Sequence, residues 1–291
     1  MRFRAVMNDP SYMRKFTEIL QVLSNLAKTS VLRVCPDKIF FVIMESQQPQ
    51  AWWELDPEQF FSEFTMRGVS DVYNEFYLEF ATVMLADTLI TLKKNRAPQT
   101  VKIKLTDKGG PCLRFEMEMP VTSLVRTCSH DFPVGIIPRS QWSGIHEAEE
   151  HSYDVSIEMP YIREMHQWLE CFKSLGQHCY LVANENGDFQ AKLVHDLGTC
   201  VKQFTGLQVV HEDGDHRSHD LTRLYGVRVD RRKLVAFLAL EHSFPPDRVL
   251  QCDISERKLV HLQLVRGDAV LHFFCRHVIE DVAVHHTLIE V

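Results

Sequence analysis

The chain has 291 residues, 45% hydrophobic and 24% charged, with a formal net charge of −7. That is enough for about two domains with buried cores, and the composition is that of a soluble globular protein. An acidic chain of pI near 6.1 is not one that coats nucleic acid with its whole surface.

The opening Phe3-Arg4-Ala5-Val6-Met7 is apolar enough for a strand. Asp9 then offers an N-cap and Pro10 a first helical residue. Met13, Phe16, Ile19, Leu20, Leu23 and Ala27 fall on one helical stripe and predict a core face. Strands are expected over 30–35, 38–44 and 51–55. Glu75 to Phe80 alternates, with Phe76, Leu78 and Phe80 on one face. A second helix is expected over 81–95, with Leu85, Leu89 and Leu92 inward. Residues 101–105 and 113–119 read as half-buried strands joined by Gly109-Gly110-Pro111, an alternation that favours antiparallel sheets with one wet face. From 137 to 152 no period holds and the composition turns acidic. The expected layout is an N-terminal domain over 1–138, a linker over 139–152 and a C-terminal domain over 153–291.

The second half replays the first. A strand over 155–159 leads to a helix opened by Pro160, with Ile162, Met165, Leu169 and Phe172 as its stripe. Strands follow over 178–184, 188–195 and 199–206, with a hairpin turn at Asn186-Gly187. The polar stretch 211–222 reads as a loop. Asp230 caps a fourth helix with Leu234, Phe237 and Leu238 inward. Strands near 249–254, 258–265 and 269–274 close the chain, and the residues after Arg276 read as a loose tail.

Four short amphipathic helices thus recur at steps of roughly seventy to eighty residues, the mark of one unit used four times. Within 10–28, 81–96, 161–175 and 231–240 the bases are Arg14, Lys15, Lys28, Lys93, Lys94, Arg96, Arg163, Lys173, Arg231, Arg232 and Lys233. The acids are Glu18, Asp87, Glu164 and Glu170, a surplus of seven positive charges in an acidic chain. Basic helix faces are usually only solvated, but three of the four segments repeat the surplus, which points to an anion facing those helices.

Signals for other chemistry are weak. No apolar run approaches the roughly twenty residues that cross a bilayer, and Met1-Arg2-Phe3-Arg4 lacks a signal-peptide core. An intracellular, soluble chain without a membrane partner is expected. Eight cysteines at 35, 112, 128, 171, 179, 200, 252 and 275 form no CxxC pair and read as reduced, mostly buried thiols. The loop from His211 to His219 has metal-ligand residue types without a zinc or calcium spacing, so no metal is expected. His277, His285 and His286 read as a solvated tail. Cys128-Ser129-His130-Asp131 are sequence neighbours, whereas catalytic triads assemble from distant residues. No phosphate-cradling loop is present in the sequence. No enzymatic activity, cofactor or small-molecule substrate is expected.

Two stretches carry a specific likeness. One is Leu26-Ala27-Lys28-Thr29-Ser30 with Leu32-Arg33 and Pro36-Asp37-Lys38. The other is Trp53-Glu54-Leu55 followed by 60–70 and Glu75-Phe76-Tyr77-Leu78-Glu79. Further echoes are 102–106 with 111–113, His130-Asp131 with Ile137-Pro138-Arg139, and 154–157. The chain resembles the Hus-type subunit of the heterotrimeric DNA-damage checkpoint clamp, the nine-one-one complex, a relative of the replication clamp PCNA. The resemblance implies an α+β, DNA-clamp (PCNA-like) fold: two similar domains, each with two strand–helix–strand repeats, whose helices line the interior of a ring. It also implies two Rad-type clamp subunits and a clamp loader as partners, sequence-independent binding of double-stranded DNA, and a nuclear place, with the cytoplasm second. Strands near 123–137 and 199–206 become the edges that meet neighbouring subunits. The DNA-facing candidates are Arg14, Lys15, Lys28, Lys93, Lys94, Arg163, Lys173, Arg232 and Lys233. A scaffold that binds only proteins is the alternative, and a small-molecule enzyme built on the 211–224 loop is third.

Overall fold

The computed structural model describes residues 1–45, 48–95, 98–119, 126–145, 152–159, 162–196, 198–210, 220–239, 250–266 and 269–279, without the side chains of 45, 48, 49, 90–95, 126 and 266. The chain divides into two compact units. The first comprises Met1–Glu149, His242–Pro246 and Gln263–Phe273; the second comprises Glu150–Glu241, Asp247–Leu262 and Phe274–Val291.

The first unit runs β1 (Arg2–Met7), α1 (Pro10–Leu26), β2 (Thr29–Val34), β3 (Ile39–Glu45), β4 (Gln48–Leu55), α2 (Pro57–Phe60) and β5 (Glu63–Arg67). It continues through β6 (Phe76–Ala81), α3 (Thr82–Asn95), β7 (Thr100–Asp107), β8 (Pro111–Met119), β9 (Arg126–Pro133) and β10 (Gly135–Ile136). One sheet has the order β5-β1-β7-β8-β9, and in the other β10-β6-β2-β3-β4 are neighbours. The strands pair antiparallel in both, as the alternation predicted. Asp9 accepts from Ser11 N at 2.6 Å to cap α1, and hydrogen bonds from Ser11, side chain first and backbone second, hold its carboxyl below the ordinary range. The predicted stripe is buried except at its end: Met13, Phe16, Ile19, Leu20 and Leu23 face inward, worth about 1.5–3 kcal/mol for each large side chain, while Ala27 is the extended C-cap and half-buried. Phe16 packs edge-on against Phe41 at 5.8 Å and Phe61 at 6.3 Å, and Phe41 against Phe80 at 6.0 Å.

Two short elements of this unit are not among those expected from the sequence. Asp56 and Pro57 start the four-residue α2, and β5 is a five-residue edge strand. The expected strand over 123–137 is two strands: β9 ends at Pro133 in one sheet and β10 pairs β6 in the other. The expected linker begins with a 3-10 turn, Arg139–Gly144, whose Trp142 is buried against Tyr77 at 4.6 Å and donates to Ile137 O at 3.0 Å.

The second unit holds β11 (Val155–Met159), α4 (Ile162–Cys171), a 3-10 turn at Lys173–Leu175, β12 (His178–Ala183), β13 (Phe189–His195), β14 (Gly198–Phe204), β15 (Tyr225–Asp230) and α5 (Arg231–Leu238). The last strands are β16 (Leu250–Ser255), β17 (Leu259–Arg266) and β18 (Ala269–Arg276). Residues 269–273 pair with β4, which is why that stretch belongs to the first unit. The four-stranded sheet runs β14-β13-β12-β15, and β11 pairs β16. The Asn186-Gly187 turn is closed by the Asn184 Oδ1, which accepts from the N–H of Asn186 and Asp188. Gly187 has φ +84°, and a Cβ there would meet Leu207 O at 2.3 Å, so the turn requires glycine. Pro160 and 211–219 lie outside the described residues.

The tail is not loose at its start. The His277 N–H donates to Lys258 O at 2.7 Å, its Nδ1 accepts from Arg228 N at 3.1 Å, and Val278 N donates to Arg228 O at 2.8 Å. Burial, then Arg228 and Arg257, lower the His277 pKa. His285 and His286 lie outside the described residues. All eight cysteines are free and five are buried; burial pushes the Cys35 and Cys179 thiols up to about 12.

One base of the helix surplus is structural. Arg231 is only 8% exposed, and its guanidinium donates to the carbonyls of Leu169 (3.2 Å), Lys173 (2.9 Å) and Gly176 (3.0 Å). A planar five-donor group can satisfy the orphan carbonyls where α4 and its 3-10 extension end while fixing the start of α5. Arg231→Ala is expected to destabilise the second unit by on the order of 2–4 kcal/mol, because one buried and two part-buried carbonyls lose their donor. Arg231→Lys should recover only part of that. Urea or thermal unfolding of the two variants checks both.

Candidate nucleic-acid interface and assembly edges

In the first unit α1 packs on α3, and in the second α4 packs on α5. The inward stripes leave the opposite helix faces to carry any function. On α1 the Arg14 side chain is exposed, and Lys15 is half-buried with its Nζ 4.5 Å above the Tyr12 ring. Tyr12 in turn packs edge-on against Phe60. Lys28 follows the Ala27 C-cap and is exposed at the helix end. The described outward side chains of α3 are Val83, Met84 and Asp87, none of them a base. Lys93 and Lys94 fall in its last turn, with side chains outside the described set, and Arg96 lies outside the described residues.

On α4, Arg163 and Glu164 are exposed at the first turn and Glu170 further on. Glu164 is ion-paired with Lys202 of β14, which turns its charge toward the sheet edge. Lys173 is exposed in the 3-10 turn. At α5 Asp230 caps the helix by accepting from Arg232 N at 2.8 Å; Arg232 is exposed and Lys233 half-buried. Arg14, Lys28, Arg163, Lys173 and Arg232 therefore reach solvent, with Lys15 and Lys233 half-buried beside them. The surplus is real and is redistributed by the fold: Arg231 is taken out of it by burial, while Lys202 offsets Glu164, which no longer subtracts from it.

Among the described residues every sheet ends in strands with one neighbour, and the two edges that the resemblance singles out are among them, one in each unit. β9 pairs only β8 in its sheet, and β14 pairs only β13. The pleat of β9 sends Cys128 and His130 to one face, opposite Met117 and Phe115, and Ser129 and Asp131 to the other, opposite Glu116 and Arg114. A nucleophile, base and acid cannot converge from such a strand. Asp131 instead accepts from Arg114 at 2.7 and 3.2 Å and from Lys108 at 3.0 Å, and Arg114 first and Lys108 second lower its carboxyl to about 2. On β14, Val201 is 48% exposed and the Lys202 Nζ lies 5.4 Å from the Phe204 ring centre. Among the described residues no group of three metal-ligating side chains comes together, and no helix is long and apolar enough to cross a membrane.

The model of the Hus1-like protein family matches residues 1–279. The chain belongs to the Hus1-like family. It is 34% identical over 280 residues to a human relative described as checkpoint protein HUS1, covering 94% of this chain and 98% of that protein. A Drosophila melanogaster relative described as checkpoint protein Hus1-like is 26% identical over 279 residues, covering 94% and 97%. In Schizosaccharomyces pombe the relative described as checkpoint protein hus1 is 22% identical over 281 residues, covering 89% and 91%. The fold is that of PCNA. The proliferating cell nuclear antigen of Entamoeba histolytica superposes with a TM-score of 0.69 at 12% identity, covering 95% of this chain and 99% of that one. That of Thermococcus kodakaraensis gives 0.64 at 14% identity, covering 95% and 100%. The Hus-type resemblance and the clamp fold read from the sequence are thus both met, and the family frame gives the β9 and β14 edges their interest.

The β9 geometry yields a pH dependence. Asp131 has a folded pKa of about 2 against an ordinary 3.8, so its contribution is present above the unfolded pKa and lost as pH falls toward 2. Asp131→Asn should flatten the part of the acid-unfolding curve between about pH 4 and 2 and leave neutral-pH folding intact. Acid titrations of both proteins followed by circular dichroism check this.

Proposed function

We propose that this chain is the Hus1-type subunit of a non-enzymatic, heterotrimeric checkpoint clamp that encircles duplex DNA and supports damage signalling and repair. The observation that carries the reading is the pair of edge strands, β9 and β14, each with one neighbour in a PCNA-like fold. An unpaired edge offers a row of backbone donors and acceptors that another chain can extend. Two Rad-type subunits would fill those edges, and a clamp loader would open the closed ring. The protein's place is nuclear, with the cytoplasm second.

The DNA attraction is electrostatic. Arg14 and Lys28 with Lys15, and Lys93 and Lys94 by position, supply positive charge on the first unit, and Arg163, Lys173 and Arg232 with Lys233 supply it on the second. Such charge holds phosphates without reading bases. The competing reading, a scaffold that binds only proteins, is favoured by α3, whose described outward side chains are Val83, Met84 and Asp87.

Two measurements separate them. Reversing Lys28, Arg163 and Arg232 to Glu should leave folding intact, because none of the three is buried. It should weaken DNA association of the assembled complex and reduce its salt slope by roughly 0.9 for each phosphate no longer neutralised. Unchanged DNA binding would favour the scaffold. Loaded on closed circular DNA, the complex should survive a high-salt wash and leave when the circle is cut. Equal elution from circles and linear DNA would argue against encirclement.

A further inference from the structure

The outer face of the β5-β1-β7-β8-β9 sheet carries a charge arrangement that the clamp reading does not use. Its acids are engaged: Glu63 by Arg4 at 3.0 Å, Glu116 by Lys104 at 2.8 Å, Glu118 by Lys102 at 2.6 Å, and Asp131 by Arg114 at 2.7 Å. The bases outnumber them, and the strand register sets like charges directly opposite one another. Arg2 lies opposite Arg67, Arg4 opposite Lys104, and Lys104 opposite Arg114. Directly opposed like charges destabilise a sheet, so this face is poorly matched to itself and well matched to an anion.

The excess gathers at the free end. Arg67 is paired only loosely with Asp71, at 3.6 Å with side-chain exposures of 69% and 91%. The Arg2 side chain is exposed. Arg4 already reaches across Thr65 to Glu63, so its guanidinium stands over β5. Among the described residues β5 has β1 as its single neighbour, at the opposite end of the sheet from β9. Pairing through β9 therefore leaves β5 open.

We infer that β5 is a docking edge for an acidic peptide, which adds as an extended strand beside Glu63–Arg67 and places Asp or Glu side chains at alternate positions against Arg2, Arg4 and Arg67. An added strand lies about 4.8 Å from β5 and repeats its side chains on one face about every 6.8 Å. That spacing suits the arginine cluster, and guanidinium forks take carboxylates in bidentate pairs. Exchanging the exposed Arg4–Glu63 and Arg67–Asp71 pairs for peptide carboxylates costs little, because exposed pairs are individually weak. A second copy of this edge offers one carboxylate, Glu63, already engaged by Arg4, against Arg2, Arg4 and Arg67. Duplex DNA has no backbone groups to match a strand edge, and the interspersed Glu63, Glu116 and Asp131 would repel a continuous run of phosphates.

The test uses the full-length chain and a fluorescein-labelled eleven-residue peptide alternating Glu and Thr, followed by anisotropy. Micromolar binding is expected, weakened about tenfold or more by Arg2→Gln with Arg67→Gln and unchanged by Arg163→Gln on α4. A peptide of the same charge with its alternate backbone amides N-methylated should fail to bind the unaltered chain. The inference is overturned if the unmodified peptide does not bind, if the N-methylated peptide binds equally well, or if the double substitution has no effect. It is also overturned if a duplex of equal length binds more tightly and loses affinity through the same two substitutions. The N-methylated arm needs no variant, so it decides the question even if the double substitution harms folding.

Discussion

Burial of one apolar stripe on each helix is the constraint from which the rest follows. Phe16 set against Phe41 and Phe61, and Leu234 and Phe237 turned into the second unit, fix the rotation of α1 and α5 about their axes. Once that rotation is fixed, the positions left outside are set by the 3.6-residue period. Arg14 and Arg232 are outward because a neighbouring residue had to be inward. The electrostatic face is a consequence of hydrophobic packing, and it cannot be re-aimed without unpacking a core.

The same packing explains why sequence charge is an imperfect guide to surface charge. Arg231 and Arg232 are adjacent and identical in type, yet one bonds three carbonyls of the preceding helix region while the other is exposed. Their difference is made by Leu169, Lys173 and Gly176, more than fifty residues away, and no local pattern reports it. Glu164 likewise subtracts from the helix surplus in the sequence, though Lys202 of β14 takes up its charge in the fold.

What is legible in the sequence has a period. The four helices, the caps at Asp9 and Asp230, the alternating strands and the Asn186-Gly187 turn can be read because each is specified by residues within a turn or two of one another. What is not legible lacks a period or depends on distant partners. β5 has only five residues, α2 only four, and β9 and β10 join different sheets across Val134 without a turn signal. The anchoring of His277 on Arg228 needs a strand nearly fifty residues earlier. Of the candidate site, the residues follow from helical spacing but their exposure does not, and the family resemblance rather than any periodicity singles out β9 and β14 as edges.

The chemistry of those two edges says what kind of neighbour they suit. The prominent charges near them are already neutralised from within: Asp131 by Arg114 and Lys108, Lys202 by Glu164. On the proposed reading a partner strand meets edges where the charges of Asp131 and Lys202 are engaged elsewhere, so pairing draws on backbone hydrogen bonds and on apolar side chains such as the half-exposed Val201. Interactions of that kind are short-ranged and only weakly screened by salt, whereas the helix face acts through screened charge. On the proposed reading the two tasks of a clamp are separated by their physics. Closure rests on interactions that salt barely touches, and DNA attraction rests on a modest charge surplus that salt removes, so the attraction can stay weak enough for sliding while closure keeps the complex in place.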